Sequence, residues 1–373
     1  MMARTASKSR HIARLLFVSS NGVGMGHLSR LLAVARRLPN SAEAVFLSMS
    51  QGFPVVQQFG FHAEYFPSHH HTLSDVTGWN SWLEATLRQI LDAYAIQAVV
   101  LDGNVVYPGI RNATSRRPDC QLIWIRRGMW RKDQDNVQSL ESAQHVDFII
   151  EPDDVASDLD SGASPDQRRG VTAVDPIRLL DSDEILSRTE SCHALGLDPN
   201  SRFVLIQLGA GNNYNYIDLI NTAIQILEPT GAVQPVIAEW LTSDLGFNLW
   251  PNVPRLRCFP ISRYYRSFDF TISAAGYNSF NEIISFGIPA VLAPNLNRSM
   301  DDQQARAAYA DLHGAAVHLD GGMVQNLKQV LTAMLDQNRL QTMSDMCRQI
   351  ARPNGALRAA QLIADAATEA GRR

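Results

Sequence analysis

The stretch RLLFVSSNGVGMGHLSRLLAVARRL, residues 14–38, decides the fold class of this chain. It opens with an apolar run of strand length, passes through three alternate glycines, Gly22, Gly24 and Gly26, and continues with leucines and alanines on one face of a helix. A strand joined to a helix in this way is typical of the units that build a parallel sheet. We therefore predict an α/β fold.

The same kind of unit recurs along the whole chain. Apolar runs that predict buried strands lie at 14–20, 44–49, 98–103, 120–126 and 146–152, and in the second half at 202–211, 234–240, 255–260, 269–276 and 289–295. The second series starts afresh with a strand and a glycine loop after a polar segment. We predict two doubly wound domains that face a cleft, at residues 11–180 and 201–373, with a linker at 181–200 and a loose tail before residue 11.

Composition limits the function classes. The chain has 373 residues, of which 45% are hydrophobic and 19% charged, as in a globular protein of two domains. A net charge of −4 argues against a nucleic-acid partner. The four cysteines form no close pair, which favours a reducing cytoplasm over a disulfide framework or zinc site. No apolar run reaches the roughly 20 residues of a membrane span, and peripheral membrane contact stays open.

The glycine loop ends at a histidine. His27 stands where a GxGxxG dinucleotide motif needs glycine, and no phosphate-loop lysine follows. The loop is either a tight turn or a backbone that a substrate approaches, with His27 as the base. Asp102, at the end of a predicted strand, either orients that imidazole or forms a turn. Arg30 either contacts a phosphate or solvates the helix.

Two stretches carry a family resemblance. The stretch SAAGYNSFNEIISFGIPAVLAPNLNRSMDDQQARAAYADLHGAA, residues 273–316, resembles the nucleotide-sugar signature of the GT-B glycosyltransferases of family 28. The glycine loop at 22–38 resembles the first loop of the same enzymes, whose type member adds N-acetylglucosamine to a lipid-linked muramyl precursor. LGAGNN, at 208–213, is a third point of similarity. The resemblance implies two Rossmann-like domains in a GT-B arrangement.

It also implies a UDP-sugar donor. In the family, the glutamate matched by Glu282 takes the ribose hydroxyls, and glutamines matched by Gln303 and Gln304 hold the donor sugar. The open helix start near Asn278 is suited to the diphosphate. The donor-binding residues that we predict are Gly211, Asn212, Phe259, Ile261, Gly276, Tyr277, Asn278, Glu282, Asp302, Gln303 and Gln304, and the catalytic residues are His27 and Asp102.

The reaction expected from this resemblance is inverting and independent of metal and cofactor. Ala290 stands where retaining relatives carry a second glutamate, and the three Asp-x-Asp pairs of the chain fall in polar loops. The acceptor is a hydroxyl compound that the sequence does not identify, with lipid-linked molecules and secondary metabolites as candidates. Two alternatives stay open: a UDP-sugar hydrolase of the pseudaminic-acid pathway type, and a non-catalytic subunit that binds a nucleotide sugar.

Overall fold

The structure, a computed structural model, contains two parallel sheets covered by helices on both faces. It describes residues 12–20, 25–133, 136–167, 170–209, 216–239, 250–297, 300–320 and 324–370. Both sheets run in the order expected of doubly wound domains, with the first strand of each near the centre. The predicted α/β class is confirmed.

The N-terminal sheet has seven strands in the order β3-β2-β1-β4-β5-β6-β7. They are β1 (Ala13–Ser19), β2 (Ala42–Ser48), β3 (His62–Tyr65), β4 (Ala98–Asp102), β5 (Gln121–Ile125), β6 (Phe148–Pro152) and β7 (Val171–Val174). The helices between them are α1 (Gly26–Ala35), α2 (Pro54–Gln58), α3 (Val76–Ala93), α4 (Pro108–Ser115) and α5 (Val137–Ser142). Five of these strands were predicted from apolar runs, and β3 and β7 were not, because these two edge strands are mostly exposed or half-buried.

The C-terminal sheet has six strands in the order β10-β9-β8-β11-β12-β13. They are β8 (Phe203–Gln207), β9 (Gln234–Ala238), β10 (Arg255–Leu256), β11 (Phe270–Ser273), β12 (Ala290–Leu292) and β13 (Ala316–His318). The helices of this half are α6 (Arg188–Leu195), α7 (Ile217–Leu227), α8 (Tyr277–Phe286), α9 (Gln303–Leu312), α10 (Val324–Ala333), α11 (Gln337–Ile350) and α12 (Ala356–Ala370).

The last helix corrects the predicted domain bounds. One face of α12 carries apolar residues three and four positions apart, and these are buried in the core of the N-terminal sheet together with α1 (Ala356, Ala359, Ala360, Ile363 and Ala367). Residues 356–370 therefore pack on the N-terminal domain, not on the C-terminal domain to which the range 201–373 assigned them. The chain crosses between the domains twice.

The predicted linker also contains a helix of the C-terminal domain. Helix α6 lies within residues 181–200 and packs on the 3-10 helical segment Ile261–Ser267. The buried hydroxyl of Ser267 donates to that of Ser191 at 2.8 Å. The first crossing between the domains is therefore shorter than the predicted linker.

Candidate functional site

The site begins at the centre of the N-terminal sheet. Ser19 at the end of β1 is the register partner of Asp102 at the end of β4. Helix α1 follows β1 and therefore starts beside Asp102. The Nδ1 atom of His27, in the first turn of α1, lies 2.6 Å from Oδ1 of Asp102. The structure thus brings together the two residues that the sequence analysis proposed as catalytic.

Arg30 completes this group, in a way that the sequence analysis did not foresee. Its Nε donates to Oδ2 of Asp102 at 2.8 Å and its Nη2 to Oδ1 at 2.6 Å, so the guanidinium binds the carboxylate in a bidentate manner. The Arg30 side chain is 2% exposed, and Asp102 is fully buried. Arg30 therefore neither solvates the helix nor reaches a phosphate. We call Arg30, Asp102 and His27 the base cluster.

The charges of the base cluster determine the pKa of His27 and which of its nitrogens carries the proton. Burial works to raise the pKa of Asp102, but the Arg30 guanidinium and the bond to His27 outweigh burial and hold that pKa below its usual value. Burial lowers the pKa of His27, and the Asp102 carboxylate only partly opposes this. Nδ1 lies 3.0 Å from Nη2 of Arg30 but only 2.6 Å from Oδ1 of Asp102, and an ionised carboxylate can only accept, so neutral His27 is assigned its proton on Nδ1. Its Nε2 is then a free base.

Across the cleft, helix α8 starts at the end of β11 in the C-terminal domain. Its N-cap is Gly276, and no side chain caps its first turn. The first turn of α1 also has no side-chain cap. The two helix starts meet, because Nδ2 of Asn278 donates to the carbonyl of Gly26 at 3.2 Å. Two facing helix N-termini with free N–H groups form an electropositive place for an anion.

The cleft between these helix starts is lined by both domains. Met25 and Ser29 contribute from the N-terminal side, and the C-terminal side adds predicted donor-binding residues, namely Phe259, Ile261, Asn278 and Glu282. The cavity measures about 50 Å³, room for water but not for a nucleotide. We therefore expect the walls to separate when a nucleotide enters.

In the described part of the chain, the C-terminal wall holds one polar atom without a partner and one carboxyl whose charged form is disfavoured by burial. Oδ1 of Asn278 is buried and has no hydrogen-bond partner among the described residues. Burial raises the pKa of Glu282 to about 7, with Ser262 and Arg178 opposing. A carboxylate and an amide oxygen in such surroundings gain stability when a ligand donates hydrogen bonds to them.

Tyr277 takes a different place from the one predicted. Its side chain is 4% exposed and lies between the guanidinium carbons of Arg30 and Arg306, at 5.1 and 5.7 Å from the ring centre. The Tyr277 hydroxyl donates to the carbonyl of Asp153 at 3.1 Å. This side chain joins the two domains and does not line the cleft, so donor contact there is limited to its backbone.

The polar side chains of the DDQQ segment have partners within the protein, and their predicted contact with the donor stays a prediction. Oδ1 of Asp302 caps α9 by accepting from the Ala305 N–H at 3.0 Å. Gln303 is 2% exposed, and its Oε1 accepts from the Asn295 N–H at 3.0 Å. Gln304 is exposed and lies 3.4 Å from Asp320. None of these three side chains lines the cleft formed by the described residues.

Four predicted residues, Gly22, Gly24, Gly211 and Asn212, lie outside the described residues. Gly26 is the first residue of α1. A Cβ atom added to it would meet nothing within 4 Å, so open space lies beside it.

A buried charge network closes the domains on one another near this site. Arg306 on α9 binds Asp154 of the N-terminal domain at 2.7 Å and Asp301 at 2.6 Å. Arg127 of the N-terminal domain reaches Asp301 at 3.2 Å. Sequence reasoning missed this network because its members meet only across the domain boundary.

The described residues offer no other obvious chemistry at this site. They contain no group of three histidine, cysteine, aspartate or glutamate side chains arranged to hold a metal. Asp181, from one of the Asp-x-Asp pairs, binds Arg37 at 2.6 Å. Among the helices that the structure describes, none has the length and apolar character to cross a membrane.

Comparisons with known proteins agree with this architecture. Residues 235–361 match the family described as glycosyltransferase family 28 C-terminal domain. No curated protein sequence matches the chain significantly.

Among solved structures, MurG of Acinetobacter baumannii is 16% identical, with 95% of this chain and 99% of that chain covered and a TM-score of 0.60. A UDP-GlcNAc 2-epimerase from Neisseria meningitidis, bound to UDP-GlcNAc, is 14% identical over 95% of this chain and 100% of its own, with a TM-score of 0.67. UGT71G1 of Medicago truncatula, complexed with UDP-glucose, is 15% identical over 96% and 99%, with a TM-score of 0.62.

These identities are low enough that the structural likeness concerns the fold. The predicted resemblance in the second half is confirmed by the family match, and the predicted pair of Rossmann-like domains by the structures. The chain is thus a GT-B-fold protein whose C-terminal domain is like that of the family 28 glycosyltransferases.

Proposed function

We propose that this protein transfers a sugar from a UDP-sugar to a hydroxyl acceptor, with inversion at the anomeric carbon and without a metal ion. The observation that carries the proposal is the meeting of two uncapped helix starts beside a histidine held by a buried carboxylate. The helix starts suit the diphosphate of the donor, and the histidine suits the acceptor hydroxyl.

The base cluster would remove the proton. His27 Nε2 takes the proton of the acceptor hydroxyl while the hydroxyl oxygen forms a bond to the anomeric carbon. The bond between that carbon and the diphosphate oxygen breaks, and UDP leaves with its electron pair. Asp102 stabilises the imidazolium that forms, and Arg30 keeps Asp102 ionised. One attack on the face opposite the leaving group inverts the configuration.

The two helix starts and the C-terminal wall would hold the leaving group. Free N–H groups at the starts of α1 and α8 offset the charge that develops on the diphosphate, a role that a divalent cation fills in other transferases. Glu282 accepts hydrogen bonds from the ribose hydroxyls, and these bonds favour the ionised form of its carboxyl group. The uracil lies against the backbone of Phe259 and Ile261, which line the same cleft.

The test combines binding and product analysis. Calorimetry with UDP, TDP and GDP should show binding with a preference for UDP. Incubation with a panel of UDP-sugars and hydroxyl acceptors, followed by mass spectrometry and NMR of the anomeric proton, should show an inverted glycoside. Failure of all uridine nucleotides to bind would contradict the proposal.

The same products separate the rival functions. A hydrolase gives free sugar and UDP with no acceptor present, and a non-catalytic subunit binds UDP-sugar without turnover. An epimerase, the activity named for one structural neighbour, changes the sugar of the donor without releasing it onto an acceptor.

A further inference from the structure

A second and larger cavity lies in the N-terminal domain alone. It measures about 450 Å³, within the range of small-molecule sites, and it lies between the start of α3, the start of α4, helix α5 and the turn at 68–70. We call it the α3–α5 groove. Nothing in the base cluster or the interdomain cleft uses it.

The floor of the groove is apolar and aromatic. The Trp79 side chain is 2% exposed, and the Tyr107 ring meets it edge to face at a centroid distance of 5.3 Å. Val106 is buried beside them. Val76, which also lines the groove, exposes its apolar side chain to solvent. Such a surface binds the ring or chain of an apolar molecule.

The rim of the groove is mostly cationic or basic. Nη1 of Arg111 lies 3.0 Å from Nε2 of His145, and His69 and His70 stand on the opposite side. Among the described residues, the hydrogen-bond partner of Arg111 is thus an imidazole and not a carboxylate, so its charge is not neutralised. Glu141 on α5 is the carboxylate that lines the groove. An anionic group would complement Arg111.

One wall of the groove holds a polar atom without a partner. Ser68 is 1% exposed, and its hydroxyl makes no hydrogen bond within the part of the chain that the structure describes. A buried hydroxyl without a partner costs free energy, which a ligand would recover if the hydroxyl turned into the groove. This observation is independent of the charges on the rim.

The groove lies at the same edge of the N-terminal sheet as the base cluster. Val105, in its wall, follows Asp102 by three residues, so the two Cα atoms lie within about 11 Å. Asn104 lies between them, and its Oδ1 accepts from Nη2 of Arg127 at 2.8 Å. The loop that follows β4 therefore joins the wall of the groove to Asp102 of the base cluster.

We propose that the α3–α5 groove binds the acceptor, and that the acceptor combines an apolar ring or chain with an anionic group that pairs with Arg111. That the bound molecule is the acceptor rests on the proposed function, whereas the chemistry of the binding site does not depend on it. The anion is a carboxylate or a phosphate, two groups that a guanidinium binds in similar ways.

Two probes with one skeleton test the proposal in the intact protein. The probe 8-anilinonaphthalene-1-sulfonate is an apolar anion, and N-phenyl-1-naphthylamine is its neutral counterpart. Both should bind the wild type in a fluorescence titration. Arg111→Gln should weaken the anion by at least about tenfold and the neutral probe by less than about twofold, because the lost bond is charge-assisted.

Two further variants fix the location. Arg116→Gln at the end of α4 removes an exposed arginine that lies 3.5 Å from Glu84, and it should change neither probe. Gln138→Trp places a bulky side chain in the groove at an exposed position and should weaken both probes. Thermal unfolding of each variant shows that it folds.

Competition by 2-naphthoate and by 2-naphthyl phosphate tells the two anion sources apart, and either result supports the proposal. Equal affinity of both probes for Arg111→Gln and wild type, or no effect of Gln138→Trp, overturns it. UDP calorimetry on the same samples is a separate measurement, so loss of the proposed transferase function would be seen without affecting the groove result.

Discussion

The two sides of the domain junction, called here the N-terminal and C-terminal walls, differ in how far the chain satisfies its own polar groups. On the N-terminal wall, both oxygens of Asp102 are bonded to Arg30, and one is also bonded to His27. On the C-terminal wall, the start of α8 has no cap, Oδ1 of Asn278 has no partner among the described residues, and Glu282 has a raised pKa.

This difference indicates two roles. A group that must transfer a proton in a fixed position gains from partners that hold it before the substrate arrives. A group that must bind a ligand gains from leaving its hydrogen bonds open. Under the proposed function, the N-terminal wall serves the chemistry and the C-terminal wall binds the donor. The following predictions separate the two walls by their effects.

The largest effect is expected from the N-terminal wall. His27→Ala should reduce kcat by about 10²–10⁴-fold, the usual contribution of a general base, and change UDP affinity by less than about threefold. The measurement is initial rate with the acceptor found in the product screen, together with calorimetry. His193→Ala, an exposed histidine on α6, serves as the control. Near-normal transfer by His27→Ala would assign the proton to another group.

Arg30→Met should be the largest loss of stability. It removes one partner of a buried ion pair and leaves the Asp102 charge, at a cost of about 3–5 kcal/mol in urea unfolding at pH 7. Arg14→Met, which breaks an exposed pair with Glu43, should cost less than about 1 kcal/mol.

The stability loss of Arg30→Met should depend on pH, and the sign of this dependence follows from the pKa of Asp102. Its pKa is lowered in the folded protein, so its stabilising contribution exists above its unfolded pKa and is lost as the pH falls through the folded pKa. In Arg30→Met the Asp102 carboxyl protonates more readily. The difference in free energy of unfolding between variant and wild type should therefore shrink toward pH 4. A difference that is constant with pH would show that packing alone is lost.

The fall of activity at low pH reports the pKa of His27. Because the pKa of His27 is lowered, kcat should stay level down to below pH 6.5 and then fall about tenfold per pH unit. The profile is measured at saturating donor, because kcat/KM would also report the ionisation of Glu282 near pH 7. A limb well above pH 6.5 would mean that the Asp102 carboxylate dominates over burial.

Glu282→Gln probes the binding wall and should separate affinity from stability. UDP affinity should fall about tenfold or more, because the ribose hydroxyls lose a charged acceptor. At pH 8 the variant should be more stable than wild type by about 1–3 kcal/mol, since a carboxylate whose pKa is raised to about 7 lowers stability once ionised.

The stability difference between Glu282→Gln and the wild type should depend on pH. A raised carboxyl pKa gives a contribution that is present below the unfolded pKa and lost as the pH rises through about 7. The advantage of Glu282→Gln should therefore disappear toward pH 4. A variant that is less stable at pH 8 and binds UDP normally would assign Glu282 to packing.

The smallest effect is expected from a chelator. If the two helix starts stabilise the leaving diphosphate, excess EDTA should change turnover by less than about twofold. The measurement is the transfer rate before and after chelation. Loss of turnover that manganese or magnesium restores would show that a metal takes over this role of the C-terminal wall.

Short-range sequence patterns predicted most of the fold. Ten apolar runs predicted strands, and each overlaps an observed strand, because a strand buried on both faces needs apolar residues at nearly every position. The uncapped start of α8 was also predictable, since Ala-Ala-Gly offers no capping side chain. The pairing of His27 with Asp102 followed from two strand ends at one sheet edge.

The sequence alone thus determined the fold class, the position of the glycine loop and the proposed base. Only the tertiary structure decided that Arg30 binds Asp102, that Tyr277 joins the domains and that α12 returns to the N-terminal sheet. These contacts join residues 72 to about 350 positions apart, or depend on how one domain faces the other. Local spacing fixes which face of a helix or strand is apolar, but not which distant charge or surface will meet it.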